Sequence, residues 1–445
     1  VNSPQAPQWR PPPPPPRNGQ RPSQPSRPAD RERTRRIVGI VLYSLSVLTG
    51  LGLLLALFLL PPIFDDDYVR MQAMAIGAAC ALVPLTLYIA LPRLVDRYDP
   101  EPWWCLLLAF GWGAFAACGF AAAINTGFDE ILAALVGKET SEALTACVCA
   151  PVVEELWKGL GVFGTFYFLR REFDGVVDGV IYATFCALGF ATVENVTYYA
   201  RAGLSTQDTA LVGTFIMRGV LSPWCHPLFT SMTGLGFGIA RETERRWLRW
   251  MAPIFGYCGA VFLHSTWNTA STLSGMLMLL MLPLWFLFVF GFFCLLIWLV
   301  ARKGRIIRDH LKDEVMMGFL TQGELLLVSS PVGRLRAGWG HGALGKEFVG
   351  AASRLALAKW HTGRAMRGKR MTVSADWIVP MRQNLAQLRT RIQQTSRKPF
   401  APNPPMLQRP YDPRMPYGQP GQPGPQGPGQ PPPYPGPPPP GTWRQ

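Results

Sequence analysis

The segment Glu154-Glu155-Leu156-Trp157-Lys158 sets two carboxylates and an ammonium into the middle of an apolar run. Such charges in hydrocarbon cost roughly 3 kcal/mol or more apiece unless they face a paired or wetted interior, so they point to function. On a helix Glu154 and Lys158 share a face, whereas adjacent carboxylates point about 100° apart. The spacing therefore pairs Lys158 with Glu154 and turns Glu155 toward a neighbouring group. A second apolar run ends in Glu194 and Tyr198, one helical turn apart, so the phenol can reach the carboxylate or a substrate oxygen. An aromatic belt at the membrane surface is the plainer use of Tyr198 and Tyr199. A third run opens with His226, and a fourth carries His264-Ser265-Thr266-Trp267-Asn268, which brings imidazole and carboxamide to one face.

Two imidazoles and a carboxylate can hold zinc with a position left for water, and a second carboxylate can take that water's proton. The same set can also work without metal, with Glu activating water while His and Asn stabilise the tetrahedral oxyanion. Residue types alone leave both routes open. Neither short hydrolase signature is present: there is no HExxH, and Gln207 stands where a GxSxG elbow around Ser205 needs its second glycine.

The groups must be positioned by helices that cross a membrane. Of 445 residues, 49% are hydrophobic, and they concentrate in eight runs at about 37–60, 71–91, 103–125, 143–169, 176–200, 222–240, 250–270 and 277–300. At ~1.5 Å per residue each run is long enough for a ~30 Å hydrocarbon layer. The first exceeds a signal-peptide core and is expected as a retained helix. A short semi-apolar stretch, 209–221, contains Arg218 and is expected as an interfacial or re-entrant helix. Positive clusters precede span one (Arg31, Arg33, Arg35, Arg36) and follow spans two, four, six and eight (Arg93 and Arg97; Arg170 and Arg171; Arg241 to Arg249; Arg302 to Arg308). Placing all five on the cytoplasmic side puts both termini there as well. Counted from those ends, Glu155, His226 and His264 lie about 21–23 Å inward, a common level in the outer half of the membrane. Glu194 counts as nearer the outer surface.

The fold class expected is thus all-α, a polytopic membrane protein of about eight transmembrane helices. Its organisation is a disordered Pro/Arg-rich tail (1–35), a transmembrane catalytic domain (36–301), a basic cytoplasmic segment (302–400) and a disordered Pro/Gly-rich tail (401–445). Within the basic segment, 324–330 and 373–378 can form short strands and 379–394 an amphipathic helix, but the periodicity is weak and assigns the segment no fold. Asp174 is expected as a helix cap or an interface residue where the helix near 176 begins, with Asp178 a turn beyond it. The tails suit spacers, or docking segments for cytoplasmic partners with aromatic-lined grooves. The excess of 43 Lys and Arg over 28 Asp and Glu sits in loops and tails, as an orientation signal does, and implies no nucleic-acid groove. The nine cysteines lie in or beside apolar runs and read as small buried hydrophobes.

At these residues the chain resembles the PrsW family of intramembrane proteases, which is similar in motif logic to the CAAX-prenyl endopeptidase and bacteriocin-processing superfamily. The family's EExxK is intact as Glu154-Glu155-Leu156-Trp157-Lys158. Its FExxxY falls on Glu194 and Tyr198 with Val193 in place of the aromatic, and its later histidines match His226 and His264-Ser-Thr-Trp-Asn268. Asp99-Pro-Glu101-Pro and Glu172-Phe-Asp174-Gly also resemble the family, and the similarity covers about residues 98–269. The resemblance implies a metalloprotease that cuts a peptide bond in a membrane-associated protein, with zinc as cofactor, in the cytoplasmic membrane of a bacterial cell. It implies Glu155 as water activator, with Glu154 and Lys158 as its polarising pair, or the reverse assignment of the two carboxylates. His226 and His264 would bind metal or the scissile oxygen, Glu194 would be a metal ligand or second base, and Asn268 and Tyr198 would orient or stabilise. Two other functions compete on the same charges: an ion-coupled transporter, although spans one to four and five to eight show no matching polar pattern, and a catalytically inactive membrane scaffold.

Overall fold

The computed structural model of the protein describes residues 28–95, 98–170, 172–207, 209–367 and 374–395. The expectations for the Pro-rich tails fall almost wholly outside them. The described residues form helices and no strand. In chain order these are α1 (Pro28–Leu54), α2 (Leu60–Phe64), α3 (Tyr68–Val95), α4 (Trp103–Gly111), α5 (Cys118–Val136), α6 (Lys138–Leu144), α7 (Ala150–Phe168) and α8 (Val176–Gly203). They continue with α9 (Ala210–Phe215), α10 (Cys225–Glu242), α11 (Arg246–Leu273), α12 (Gly275–Met316), α13 (Gln322–Ser329), α14 (Pro331–Arg367) and α15 (Ser374–Thr395). Single π-helical turns join α1 to α2, α4 to α5, α6 to α7 and extend α9 to Leu221; such turns recur at functional sites because they rotate the next stretch of helix about its axis.

Five helical runs among the described residues are long and apolar enough to cross a membrane: Arg33–Phe64, Tyr68–Ala90, Trp103–Val136, Val176–Gly203 and Gly275–Met316. The other three expected runs coincide with helices α7, α10 and α11. These are the helices that carry Glu154, Glu155, Lys158, His226 and His264, and the same polar residues lower their hydropathy.

Helix α8 is the axis of the bundle, its apolar stretch almost wholly enclosed. It packs on α3, α4, α7 and α10, while α10 packs in turn on α11. Without a hydrophobic driving force between helices in lipid, close approach comes from small residues. Gly179 of α8 and Gly234 of α10 supply it: a Cβ on either would collide with the other's carbonyl oxygen. The start of α8 is capped by Asp178, whose Oδ2 accepts from the backbone N–H groups of Asp174 and Gly175, each at 2.9 Å. Asp174, expected as a cap or an interface residue, faces the His361 imidazole of α14 at 3.4 Å.

A second core lies beyond the membrane helices, built from Ile307 and Leu311 of α12, Leu325 and Val328 of α13, Phe348, Ala352 and Leu355 of α14, and Ile378, Leu385, Leu388 and Ile392 of α15. The strand expected at 324–330 is helix α13. Its start is set by a capping box, in which the Thr321 hydroxyl accepts from the Glu324 N–H at 3.0 Å and the Glu324 carboxylate accepts from the Thr321 N–H at 2.7 Å. The strand expected at 373–378 is, from Ser374 on, the first turn of α15, with Val373 outside the described residues. A short apolar run carries no period to separate strand from buried helix. The amphipathic helix expected at 379–394 does form, its buried Ile378, Leu385, Leu388 and Ile392 following the helical period.

Because α8 and α10 touch through backbone at Gly179 and Gly234, either residue changed to Val should force them apart. The expected cost is about 1–3 kcal/mol, read as a lowered melting temperature of the detergent-purified protein. Gly164→Ala on α7, where a Cβ meets nothing, should leave melting unchanged.

Candidate active site

The buried face of α7 runs Pro151, Glu154, Glu155, Lys158, Val162 and Thr165, the spacing of a helical stripe. The charged residues therefore lie on the side turned into the bundle, toward α8, α10 and α11. Lys158 is completely enclosed. Its Nζ lies 3.2 Å from Glu154 Oε2, 3.0 Å from Glu155 Oε1 and 3.0 Å from His226 Nδ1 of α10, with the ring of Phe190 at 3.8 Å. The ammonium thus holds both carboxylates, whereas helical spacing alone assigned it to Glu154. Its three donors meet three acceptors.

That arrangement settles the protonation of His226. An ammonium can only donate, so Nδ1 accepts, Nε2 carries the hydrogen, and Nε2 donates to Glu194 Oε2 of α8 at 2.9 Å. Glu155 is the most fully partnered carboxylate of the cluster. Oε1 takes Lys158 and His264 Nδ1, the latter at 3.1 Å, and Oε2 accepts from the Thr230 hydroxyl at 2.8 Å. With Nδ1 of His264 donating to Glu155, its Nε2 is left on the side of Glu154 Oε2, 3.8 Å away. The two imidazoles stand edge-on with centroids 5.1 Å apart, walled by Phe190 and Phe229.

Glu154, His226 and His264 each offer one donor atom, and the three atoms lie within 4.8 Å of one another. Donor types and spacing fit a divalent ion such as zinc. So does the Glu155–His264 bond, since an outer carboxylate that fixes the tautomer of a ligating histidine is what such centres require. Lys158 bonds Glu154 Oε2 and His226 Nδ1, so an ion taking either atom would have to displace that bond. The acid in this grouping is Glu154; Glu194, which the resemblance implies as a ligand or second base, bonds His226 Nε2.

Glu194 lies one shell out from Lys158. It is ion-paired to Arg218, whose Nε also donates to Asn195 Oδ1 at 2.6 Å and whose guanidinium covers the Tyr198 ring, 3.7 Å from its centroid. Tyr198 is therefore stacked under a cation beside Glu194. Asn268 serves a different contact, donating from Nδ2 to the Ala146 carbonyl at 2.9 Å, which ties α11 to the π turn before α7. Arg218 is the participant that sequence reasoning missed. Treating it as a charge within a semi-apolar stretch, by the criterion that selected Glu154 and Lys158, would have found it.

The geometry joins residues from four helices, and comparison with known proteins falls on the same stretch. Residues 101–298 match the family model described as PrsW family intramembrane metalloprotease. A Protease PrsW of Geobacillus kaustophilus (strain HTA426) is 29% identical over 177 residues, 39% of this chain and 70% of that protein. A Protease PrsW of Clostridioides difficile (strain 630) is 31% identical over 156 residues, 35% of this chain and 61% of that protein. No solved structure matches.

Removing the ammonium leaves adjacent buried carboxylates without their cation. Lys158→Met should therefore lower thermal stability sharply, by about 3–5 kcal/mol for a broken buried pair. Glu155→Gln combined with Lys158→Met should recover part of the loss; a double variant no more stable than Lys158→Met alone would contradict the bond between the two.

Proposed function

We propose, from the PrsW-family domain at residues 101–298, that the chain is an intramembrane endopeptidase acting on a membrane-associated protein. The observation that carries the reading is the convergence of Glu154, His226 and His264 from α7, α10 and α11 within 4.8 Å of one another. A divalent ion on these three, zinc by donor preference, would act as a Lewis acid on the scissile carbonyl.

The chain's own residues supply the rest. Glu155, with all its bonds to Lys158, Thr230 and His264 made, positions His264 and takes no proton. In this reading Glu194, held beside His226 Nε2 by Arg218, accepts the proton of the attacking water. As the water oxygen bonds to the carbonyl carbon, its proton passes to Glu194. When the C–N bond breaks, that proton goes to the leaving amine, and the products are a carboxylic acid and an amine. Lys158 keeps positive charge beside Glu154 throughout, and Phe190 and Phe229 limit water to the polar side. The depth counted from the cytoplasmic helix ends supports a cut in the outer half of a bacterial cytoplasmic membrane. The Pro-rich tails would serve as spacers or as docking segments for cytoplasmic partners.

The test compares membrane proteomes of cells making the wild type, Glu194→Gln or His264→Ala. At least one membrane protein should accumulate uncut with both variants, its cleavage reduced at least 100-fold. Identical proteomes would end the protease reading. Metal content of the purified protein checks the ion: about one equivalent is expected in the wild type and less than a tenth of that in His264→Ala.

A further inference from the structure

A cavity of about 460 Å³ lies between α8, α10 and α12, and none of the acid–histidine cluster lines it. Its upper end is at Trp224 and Pro227 and its lower end at Tyr98, Ala301 and Pro331. Its walls are almost entirely carbon. The two hydroxyls among them are turned to protein partners, Tyr98 to the Ser329 carbonyl at 3.0 Å and Thr184 toward the Ser231 hydroxyl at 3.4 Å. Nothing in the walls recognises a polar group, so the occupant is hydrocarbon.

Height decides which hydrocarbon. Along α12 the lining runs from Phe292 to Ala301, about 13 Å at 1.5 Å per residue, close to one leaflet of a ~30 Å hydrocarbon core. A single extended acyl chain spans that height.

The lower rim is basic. Arg93 is next in sequence to the lining residue Pro92 and lies over the Trp103 ring at 4.3 Å. Arg334 donates to the Tyr98 carbonyl at 2.6 Å. Arg305 and Arg308 lie one and two turns of α12 beyond Ala301, both exposed, with Arg308 Nε 3.5 Å from the Ser329 hydroxyl. The neighbouring Asp309 is engaged by Lys312 at 2.7 Å. Four guanidinium groups around the cytoplasmic mouth of an apolar slot match an anionic headgroup above a buried chain.

We infer that this cavity holds one acyl chain of an anionic glycerophospholipid of the cytoplasmic leaflet, its phosphate set against Arg305 and Arg308. The site is separate from the peptide-cleaving groups, and its failure would leave the protease reading untouched.

The experiment offers the detergent-purified full chain equal amounts of phosphatidylglycerol and phosphatidylcholine and counts retained lipid by native mass spectrometry. One phosphatidylglycerol per chain is expected, preferred at least tenfold. Arg305→Gln and Arg308→Gln should each cut the preference about fivefold. Ile297→Trp, at a lining position that is 69% exposed, should fill the slot and abolish retention of both lipids at unchanged melting temperature. Equal retention of the two lipids by the wild type overturns the inference. So does undiminished retention by Ile297→Trp, displacement of the lipid by inorganic phosphate alone, by palmitate as readily as by phosphatidylglycerol, or by an apolar 20-residue peptide.

Discussion

A single buried ammonium organises the centre of this protein. Lys158 is enclosed and spends its three donors on Glu154, Glu155 and His226, which join α7 to α10. Two carboxylates one residue apart, both removed from water, repel each other and incur the cost of desolvation. The cation between them offsets that repulsion, and each remaining bond depends on its placement. His226 must accept on Nδ1 and so donates from Nε2 to Glu194; Glu155, anchored on one side, orients His264 on the other.

The bundle is arranged so that this polar centre can exist at all. Residues that leave room, Gly179 and Gly234, let α8 and α10 touch by backbone, which brings their side chains into bonding range across the interface. Aromatic rings rather than lipid close the sides of the imidazoles. Polar contacts also tie the start of α8 and the end of α10 to the C-terminal helices. Asp178 at the start of α8 meets Lys303, Glu242 at the end of α10 meets Arg302, and Asp174 faces His361 of α14. Through them α12 and α14 are attached to the two helices that present Glu194 and His226. The unbroken α12, from Gly275 to Met316, carries the chain from the membrane core into the second core without a hinge.

The resemblance to PrsW proteases and the geometry concern the same residues for a physical reason. A hydrolytic centre inside a membrane needs charge where charge is expensive, and a few helical positions can bear it only if they face one another. Motif residues that look equivalent in the linear order have separate tasks in space. Glu154 sits with both imidazoles, Glu155 is consumed in positioning, Asn268 braces the turn at Ala146, and Arg218 joins the group from outside every motif.

The linear order of residues was enough for the all-helical class, because apolar runs of membrane length have few other ways to satisfy their backbone. It was also enough to pick out Glu154, Glu155, Lys158, Glu194, His226 and His264, since ionisable groups within such runs are costly whatever their partners. Helical spacing placed each on a face. It could not say how far each helix is turned about its own axis or which neighbour it meets, and those two quantities decide every bond between helices. Only the packed bundle therefore determined that Lys158 serves both carboxylates, that Glu154 groups with both histidines while Glu194 bonds His226, and that Arg218 belongs to the centre. The same limit applied at 324–330, where a short apolar run is compatible with strand or helix, and the capping bonds between Thr321 and Glu324, together with burial against α14, selected the helix.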